Sequence, residues 1–189
     1  RGELSLLAEE LSPGQQDLTL SIKNLHLEDY RSLGLPDVGG TLFGDVHYQR
    51  QGDLSQQPTI SGDLSLSDLR YEDKKFGLFS ASLFYEPRSN DSHYITADLG
   101  YNGQSAMALD GIYYPKEKVS PLKGSLQLTG FPLELANPFL LANGTTLQGQ
   151  AYGQISLAGK LTKPQLTGQI QIEKALVDLA TYGTHLRLD

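Results

Sequence analysis

Apolar and polar residues alternate with a period of two along most of this 189-residue chain. Leu18, Leu20 and Ile22 are separated by single polar residues. The same rhythm recurs in five further runs, at residues 64–66, 95–99, 126–128, 155–157 and 170–172. Strict alternation is typical of β-strands with one apolar and one polar face. Because clusters of Gly, Pro, Asn and Asp separate the runs, the pattern predicts an all-β, antiparallel, meandering sheet.

Helical spacing is scarce in this sequence. Residues 4–11 and residues 138–143 each suggest one short helical turn, and neither run reaches the length of a typical helix. No segment is long or biased enough to be an interdomain linker. The chain also starts and ends within strand-like alternation. We therefore expect residues 1–189 to be a single piece, cut at both ends, of a longer repetitive β array.

A weak internal repeat relates residues 58–77 to residues 164–183 without a gap, with only the Pro and Gly positions identical. A shorter pattern, Gly-x-apolar-x-apolar, occurs six times with its glycine on the apolar face. These glycines are Gly2, Gly44, Gly62, Gly124, Gly153 and Gly168. Glycine inside a strand costs roughly 0.5 to 1 kcal/mol and often marks a bend or a close approach of a neighbour. The recurrence predicts a strongly curved sheet.

The pattern leaves two architectures open. In a β-sandwich, the apolar faces of two sheets close on each other. In an elongated β structure, repeating units extend one sheet. The chain contains no Trp and only 6 Phe, so large aromatic core anchors are few. That shortage favours the elongated structure.

Composition and motifs disfavour several functions. A formal net charge of −7 argues against binding nucleic acid, which needs a basic patch, and the absence of cysteine excludes thiolate chemistry. The four histidines are scattered, lie on the polar phase of strands or in a loop, and include no His-x-x-x-His pair, so no metal site is expected. Asp63/Asp68 and Glu72/Asp73 could be imagined as glycosidase pairs, but their spacing does not establish the required separation. We expect no enzyme activity and no cofactor.

The last third of the chain carries the most specific pattern. Residues 124–140 read GSLQLTGFPLELANPFL, and four later segments read GQISLAG (153–159), LTKPQLTG (161–168), IQIEKALV (170–177) and YGTHLRLD (182–189). In this order and spacing they resemble the TamB/AsmA-like family of bridge-type lipid transfer proteins. Residues 41–77 show a looser version of the pattern. Residues 1–40 and 78–120 show little beyond strand rhythm.

The resemblance implies a fold and a function. Members of this family form a long, taco-shaped β-sheet (β-taco) with an apolar concave face, and an N-terminal helix anchors them in the inner membrane. They span the periplasm of diderm bacteria, carry phospholipids toward the outer membrane and support its assembly. Their implied partners are phospholipid acyl chains and a BamA-like outer-membrane barrel. On this basis we expect the present chain to be a segment of a periplasmic lipid conduit, belonging to a translocation and assembly module.

Parity assigns the side chains that would line the groove. The inward-facing residues are predicted to be Leu4, Leu6, Leu18, Leu20, Ile22, Ile60, Leu64, Leu66, Leu126, Leu128, Ile155, Leu157, Leu166, Ile170 and Ile172. The alternative at each position is an ordinary closed core residue. The corresponding alternative function is a structural or adhesive β-scaffold, such as a solenoid stalk, with its apolar face sealed. Ten tyrosines also suggest carbohydrate stacking, although tyrosine suits exposed strands for reasons of fit.

Overall fold

The computed structural model describes residues 2–12, 15–29, 38–52, 57–71, 74–137, 145–179 and 184–188. Within these ranges, eleven β-strands form one antiparallel sheet. The strands are β1 (Glu3–Ser12), β2 (Gln15–His26), β3 (Val38–Arg50), β4 (Thr59–Tyr71), β5 (Lys74–Pro87), β6 (His93–Tyr101), β7 (Gln104–Tyr113), β8 (Leu122–Pro132), β9 (Thr145–Lys160), β10 (Lys163–Leu179) and β11 (Thr184–Leu188). The order of strands in the sheet is their order in the chain. The prediction of an all-β antiparallel meander is confirmed.

The sheet is a single layer. β1 and β11 are its two outermost strands, and they do not pair with each other. Among the described residues, a 3₁₀ turn over Leu133–Ala136 packs on β9, and no second sheet covers either face. A β-sandwich is therefore not formed by this part of the chain.

The accessible surface agrees with a structure that lacks a closed core. The chain exposes 12433 Å², whereas a compact protein of 20.7 kDa exposes roughly 8,900 Å². Within the described ranges the buried apolar side chains are few and mostly small. They are Phe79, Ala106, Leu128, Ala151 and Ala175.

At two equivalent strand pairs, glycine allows the close approach of neighbouring backbones that the sequence predicted. Gly44 in β3 lies opposite Leu64, and Gly153 in β9 lies opposite Ile170. Both glycines have positive φ, 139° and 146°. A Cβ at Gly44 would collide with the carbonyl oxygen of Asp63. Side chains other than hydrogen are therefore excluded from these positions.

β-Bulges recur at the same end of four of the five even-numbered strands, β2, β4, β8 and β10. The register of strand pairing shifts next to four residues with positive φ. In each case the next residue is apolar and still belongs to the same strand. These four residues are Asn24, Asp68, Gly130 and Lys174. A bulge of this kind bends the strand and increases the local twist of the sheet. We call this edge of the sheet the bulge rim.

The repeat between residues 58–77 and 164–183 has a structural counterpart. Gly62 and Gly168 hold equivalent places in β4 and β10, each opposite a β-branched residue on the preceding strand, Val46 or Ile155. The last two matched residues of the second copy, 182 and 183, lie outside the described residues.

One local prediction was wrong, and others lie outside what is described. Residues 4–11 do not form a helical turn, because they belong to β1, whose Leu4, Leu6 and Ala8 pair with apolar residues of β2. Cross-strand pairing satisfies the backbone along the whole segment, which one isolated helical turn cannot do. The turn expected at residues 138–143 and the pair Glu72/Asp73 fall outside the described ranges.

Candidate functional site: one apolar face of the sheet

Residues directly opposite each other on paired strands share a face, so the register defines rows that cross the sheet from β1 to β10. The first row is Leu4, Ile22, Gly44, Leu64, Ala81, Leu99, Met107, Leu128, Gly153 and Ile170. The second row is Leu6, Leu20, Val46, Gly62, Leu83, Ala97, Leu109, Leu126, Ile155 and Gly168. The third row is Ala8, Leu18, Tyr48, Ile60, Tyr85, Ile95, Gly111, Gly124, Leu157 and Leu166. We call these three rows the apolar face.

The apolar face contains no charged residue, and tyrosine is its only residue with a polar group. All fifteen side chains expected to face inward lie on this side of the sheet. Thirteen are in the three rows, and Leu66 and Ile172 follow one step further toward the bulge rim, opposite Phe79 and Ala151. The register therefore brings the expected residues together on one surface.

Sequence reasoning missed the central part of this surface, on β5, β6 and β7. Leu83, Leu109 and Met107 lie in the rows although they were not singled out as groove residues. The available signal was the alternation of residues 81–85 and 107–109, which matches the rhythm of the flanking strands. Small residues such as Ala81 and Ala97 weaken that signal.

Exposure of the side chains on the apolar face varies from strand to strand. Along the second half of β3, residues facing this side are half-buried while Asp45, His47 and Gln49 on the other side are exposed. No described second layer accounts for the difference. Crowding of this kind occurs on the inner side of a curved sheet. Elsewhere the same face is open: Leu6 is 67% exposed, Leu166 is 62% exposed, and Leu83 on the central strand β5 is 47% exposed.

A cleft at the bulge rim also shows how far the sheet curls. Lys75 of β5 and Lys174 of β10 line one cleft of about 490 Å³, together with Tyr101 and Glu134. In a flat sheet, β5 and β10 would be about 24 Å apart. The sheet is therefore strongly curved.

The edge opposite the bulge rim carries amphipathic side chains on the same side of the sheet as the apolar face, in the third row and just beyond it. We call Tyr48, Arg50, Tyr85, His93 and Tyr113 the tyrosine rim. The Tyr85 hydroxyl donates to Gln57 Oε1 at 3.0 Å and lies 2.6 Å from His93 Nδ1. The His93 ring packs edge-on against Tyr113, with centroids 5.9 Å apart. Burial raises the pKa of Tyr85 above its ordinary value.

His93 corrects an expectation. The sequence placed all four histidines on polar strand phases or in a loop, but His93 opens β6 opposite Pro87 and Tyr113, on the apolar side. Its position among aromatic rings explains the difference, because an imidazole ring packs on tyrosine and still finds a hydroxyl partner. His47 lies on the polar face near Thr19, as expected. The side chain of His185 lies outside what is described.

Arg50 is the one cationic side chain of the tyrosine rim. Its guanidinium carbon lies 5.6 Å from the centroid of the Tyr48 ring, and Nη2 donates to the Tyr48 hydroxyl. The Nε–H is buried and has no hydrogen-bond partner. Within the described residues Arg50 forms no ion pair.

The bulge rim has a different electrostatic arrangement. Arg70 is paired there with Glu28, whose other carboxylate oxygen accepts from the Gly40 backbone N–H at 3.4 Å. The backbone N–H of Glu28 itself, that of Gly40 and the Arg70 guanidinium lower the pKa of Glu28 and outweigh its partial burial. The charge of Arg70 is thus already compensated.

The opposite face of the sheet is polar and rich in carboxylates. Several of these accept hydrogen bonds from a neighbouring strand, including Asp45 from Ser21 at 2.5 Å and Asp110 from Tyr94 at 2.6 Å. The bond to Asp110 raises the pKa of Tyr94. No cluster suited to a metal ion occurs among the described side chains. This face is therefore predominantly polar.

No protein-family model matches the chain, and no curated protein or solved structure matches it either. Within the ranges that the structure describes, no helix has the length and apolar character needed to cross a membrane.

Proposed function

We propose that the apolar face is a groove that carries the acyl chains of lipids, and that the chain is a segment of a TamB-like lipid conduit. One observation carries this proposal. Three rows of apolar residues cross ten consecutive strands, and no described layer covers them. An exposed apolar surface of this extent marks a binding surface in soluble proteins.

The dimensions of the rows suit an acyl chain. Adjacent rows are two residues apart along a strand, so the first and third rows are separated by about 14 Å. The tails of one bilayer leaflet occupy about 15 Å, half of the roughly 30 Å hydrocarbon core. An acyl chain lying along the strand direction would therefore span the apolar face from one rim to the other.

The hydrophobic effect also favours a lipid tail as the ligand of the apolar face. Removing apolar surface from water is worth about 25 cal/mol per Å², so a lipid tail crossing an aqueous compartment needs continuous cover. Neighbouring positions on the face are chemically alike from β1 to β10, and none offers a charged group to trap a tail. A predominantly aliphatic surface without charges permits sliding from strand to strand.

The wider setting is proposed from the sequence resemblance of residues 124–189. In that setting the full-length protein is anchored in the inner membrane of a diderm bacterium, crosses the periplasm and meets a BamA-like barrel in the outer membrane. Its role there is phospholipid transport and outer-membrane assembly. It needs no catalytic residue or cofactor, because sliding along the groove changes no covalent bond.

Site-specific photocrosslinking tests the proposal. A photoreactive amino acid at Ile155, on the second row, should label phospholipid in cells, and the same group at Ser156, on the polar face of the same strand, should not. Ile170 and Gln171 provide a second matched pair on β10. Equal labelling within each pair would contradict the assignment of the lipid to this face.

Mass spectrometry of organic extracts of the purified protein is the companion measurement. Co-purifying phospholipid is expected, and Leu126→Asp should reduce it while Gln127→Asp should not. A protein without lipid that also takes up no detergent or neutral probe would instead support a structural or adhesive β-scaffold with a sealed face.

A further inference from the structure

The two rims of the apolar face differ in charge compensation. At the bulge rim, Arg70 is neutralised by Glu28. At the tyrosine rim, Arg50 is stacked near Tyr48 with a buried and unsatisfied Nε–H. A buried guanidinium N–H without an acceptor is costly, and an anionic oxygen is the acceptor that best repairs this deficit.

We propose that the groove binds amphiphiles in one orientation, with an anionic head at Arg50 and the tail running across the rows toward the bulge rim. This inference rests on the proposed function and adds a specificity-determining residue to it. Arg50 is the last residue of β3, two residues beyond Tyr48 of the third row. An anion on its guanidinium would therefore sit where the apolar rows end.

The neighbouring side chains fit the boundary between a tail and a head. Tyr48 and Tyr85 lie on the same row, separated by Ile60, and His93 and Tyr113 lie one step further toward this edge on β6 and β7. Tyrosine combines an apolar ring with a polar tip, which is why it is enriched where apolar and hydrated regions meet. These rings would contact the first carbons of the tail while their hydroxyl groups face the head.

Two neighbouring sets of charges compete less well for an anion. Asp17 lines the small cleft beside Arg50, but it lies on the polar face and accepts a hydrogen bond from Gln49 at 3.0 Å. At the bulge rim, the exposed Lys75 and Lys174 share their cleft with the carboxylate of Glu134. Arg50 thus combines partial burial, an open donor and direct continuity with the rows.

The test compares amphiphiles that share a sixteen-carbon chain and differ in their heads: palmitate, hexadecyl phosphate and hexadecanol. Binding is measured by displacement of the neutral dye Nile red from the whole chain. The two anions should bind about tenfold more tightly than the alcohol. Arg50→Gln should remove this preference with little change in hexadecanol affinity, and Arg50→Lys should keep part of it.

Arg70→Gln and Lys75→Gln are the matched controls at the bulge rim, and both should keep the full preference. A wild-type chain that binds all three probes equally would overturn the inference and leave the proposed function intact. So would an Arg50→Gln chain, folded by circular dichroism, that still prefers anions, or a preference lost in Lys75→Gln instead. Failure of every probe to bind the wild-type chain would count against the proposed function itself.

Discussion

Asp68 in β4 and Lys174 in β10 adopt the same left-handed backbone conformation at the same place in their strands, with φ of 52° and 51°. Each comes two residues after an apolar residue of the groove side, Leu66 or Ile172, and next to a register shift. The bulge is thus a feature of the repeating unit.

Glycine at these bulges should stabilise the sheet. The left-handed conformation costs a residue with a Cβ roughly 1 to 2 kcal/mol, less for Asp than for Lys because Asp tolerates it. We expect Lys174→Gly to raise the free energy of unfolding by about 1 kcal/mol and Asp68→Gly by less. Urea denaturation followed by circular dichroism measures both.

Thr167→Gly, at an ordinary extended position of β10, is the control and should instead lower stability by about 0.5 to 1 kcal/mol. A loss of stability in Lys174→Gly would refute the assigned conformation.

A methyl group at Gly153 should be poorly tolerated. Its Cβ would collide with the carbonyl oxygen of Gln169 on β10, and the φ of 146° strains any larger residue. Gly153→Ala is expected to cost about 2 kcal/mol or more. Ser156→Ala, on the polar face of the same strand, should change stability by less than about 0.5 kcal/mol. Thermal unfolding of the two variants gives the comparison, and equal melting temperatures would contradict the close approach of β9 and β10.

Replacing leucine with alanine should lower the free energy of unfolding by different amounts at different positions of the apolar face. Leu128 lies in the middle of the first row and is 9% exposed, whereas Leu166 in the third row is 62% exposed. Leu128→Ala should cost about 2 to 4 kcal/mol, because its neighbours lose contacts they cannot replace. Leu166→Ala should cost less than about 1 kcal/mol. Chemical denaturation of lipid-free protein distinguishes this gradient from a uniformly sealed core, in which both variants would be equally destabilised.

Glu28 should make stability depend on pH on the acid side. Its pKa is lowered in the folded chain, so its contribution is present above the ordinary value of 4.5 and is lost as the pH falls through the lower folded value. Glu28→Gln should reduce stability at pH 7 by up to about 1 kcal/mol, since the pair with Arg70 is partly exposed. The difference from the wild-type chain should vanish in acid. Arg70→Gln should reproduce only part of the change, because the backbone N–H groups of Glu28 and Gly40 also lower the pKa of Glu28, and the double variant should add little to Glu28→Gln. A difference that persists at pH 2 would show that packing, not charge, is responsible.

Much of this fold could be predicted from the sequence because a strand alternates its side chains between two faces. Leu18, Leu20 and Ile22 fall on one side whatever the partner strand is. The bulges are also visible in the sequence. The apolar residues of β4 fall at positions 64, 66 and 69, and those of β10 fall at positions 170, 172 and 175. The change from two to three residues marks the extra residue of the bulge, a signal that alternation alone overlooks.

Period two alone determined that each strand of this protein has an apolar and a polar side, and the recurrent glycines indicated close approach on the apolar side. The tertiary structure decided which strands pair, and therefore that these sides join into rows crossing ten strands. It also placed His93 between Tyr85 and Tyr113 and left the Nε–H of Arg50 buried without a partner. Alternation is a property of one strand, whereas rows and rims arise only from the register between strands, which the backbone hydrogen bonds and the curvature of the whole sheet select together.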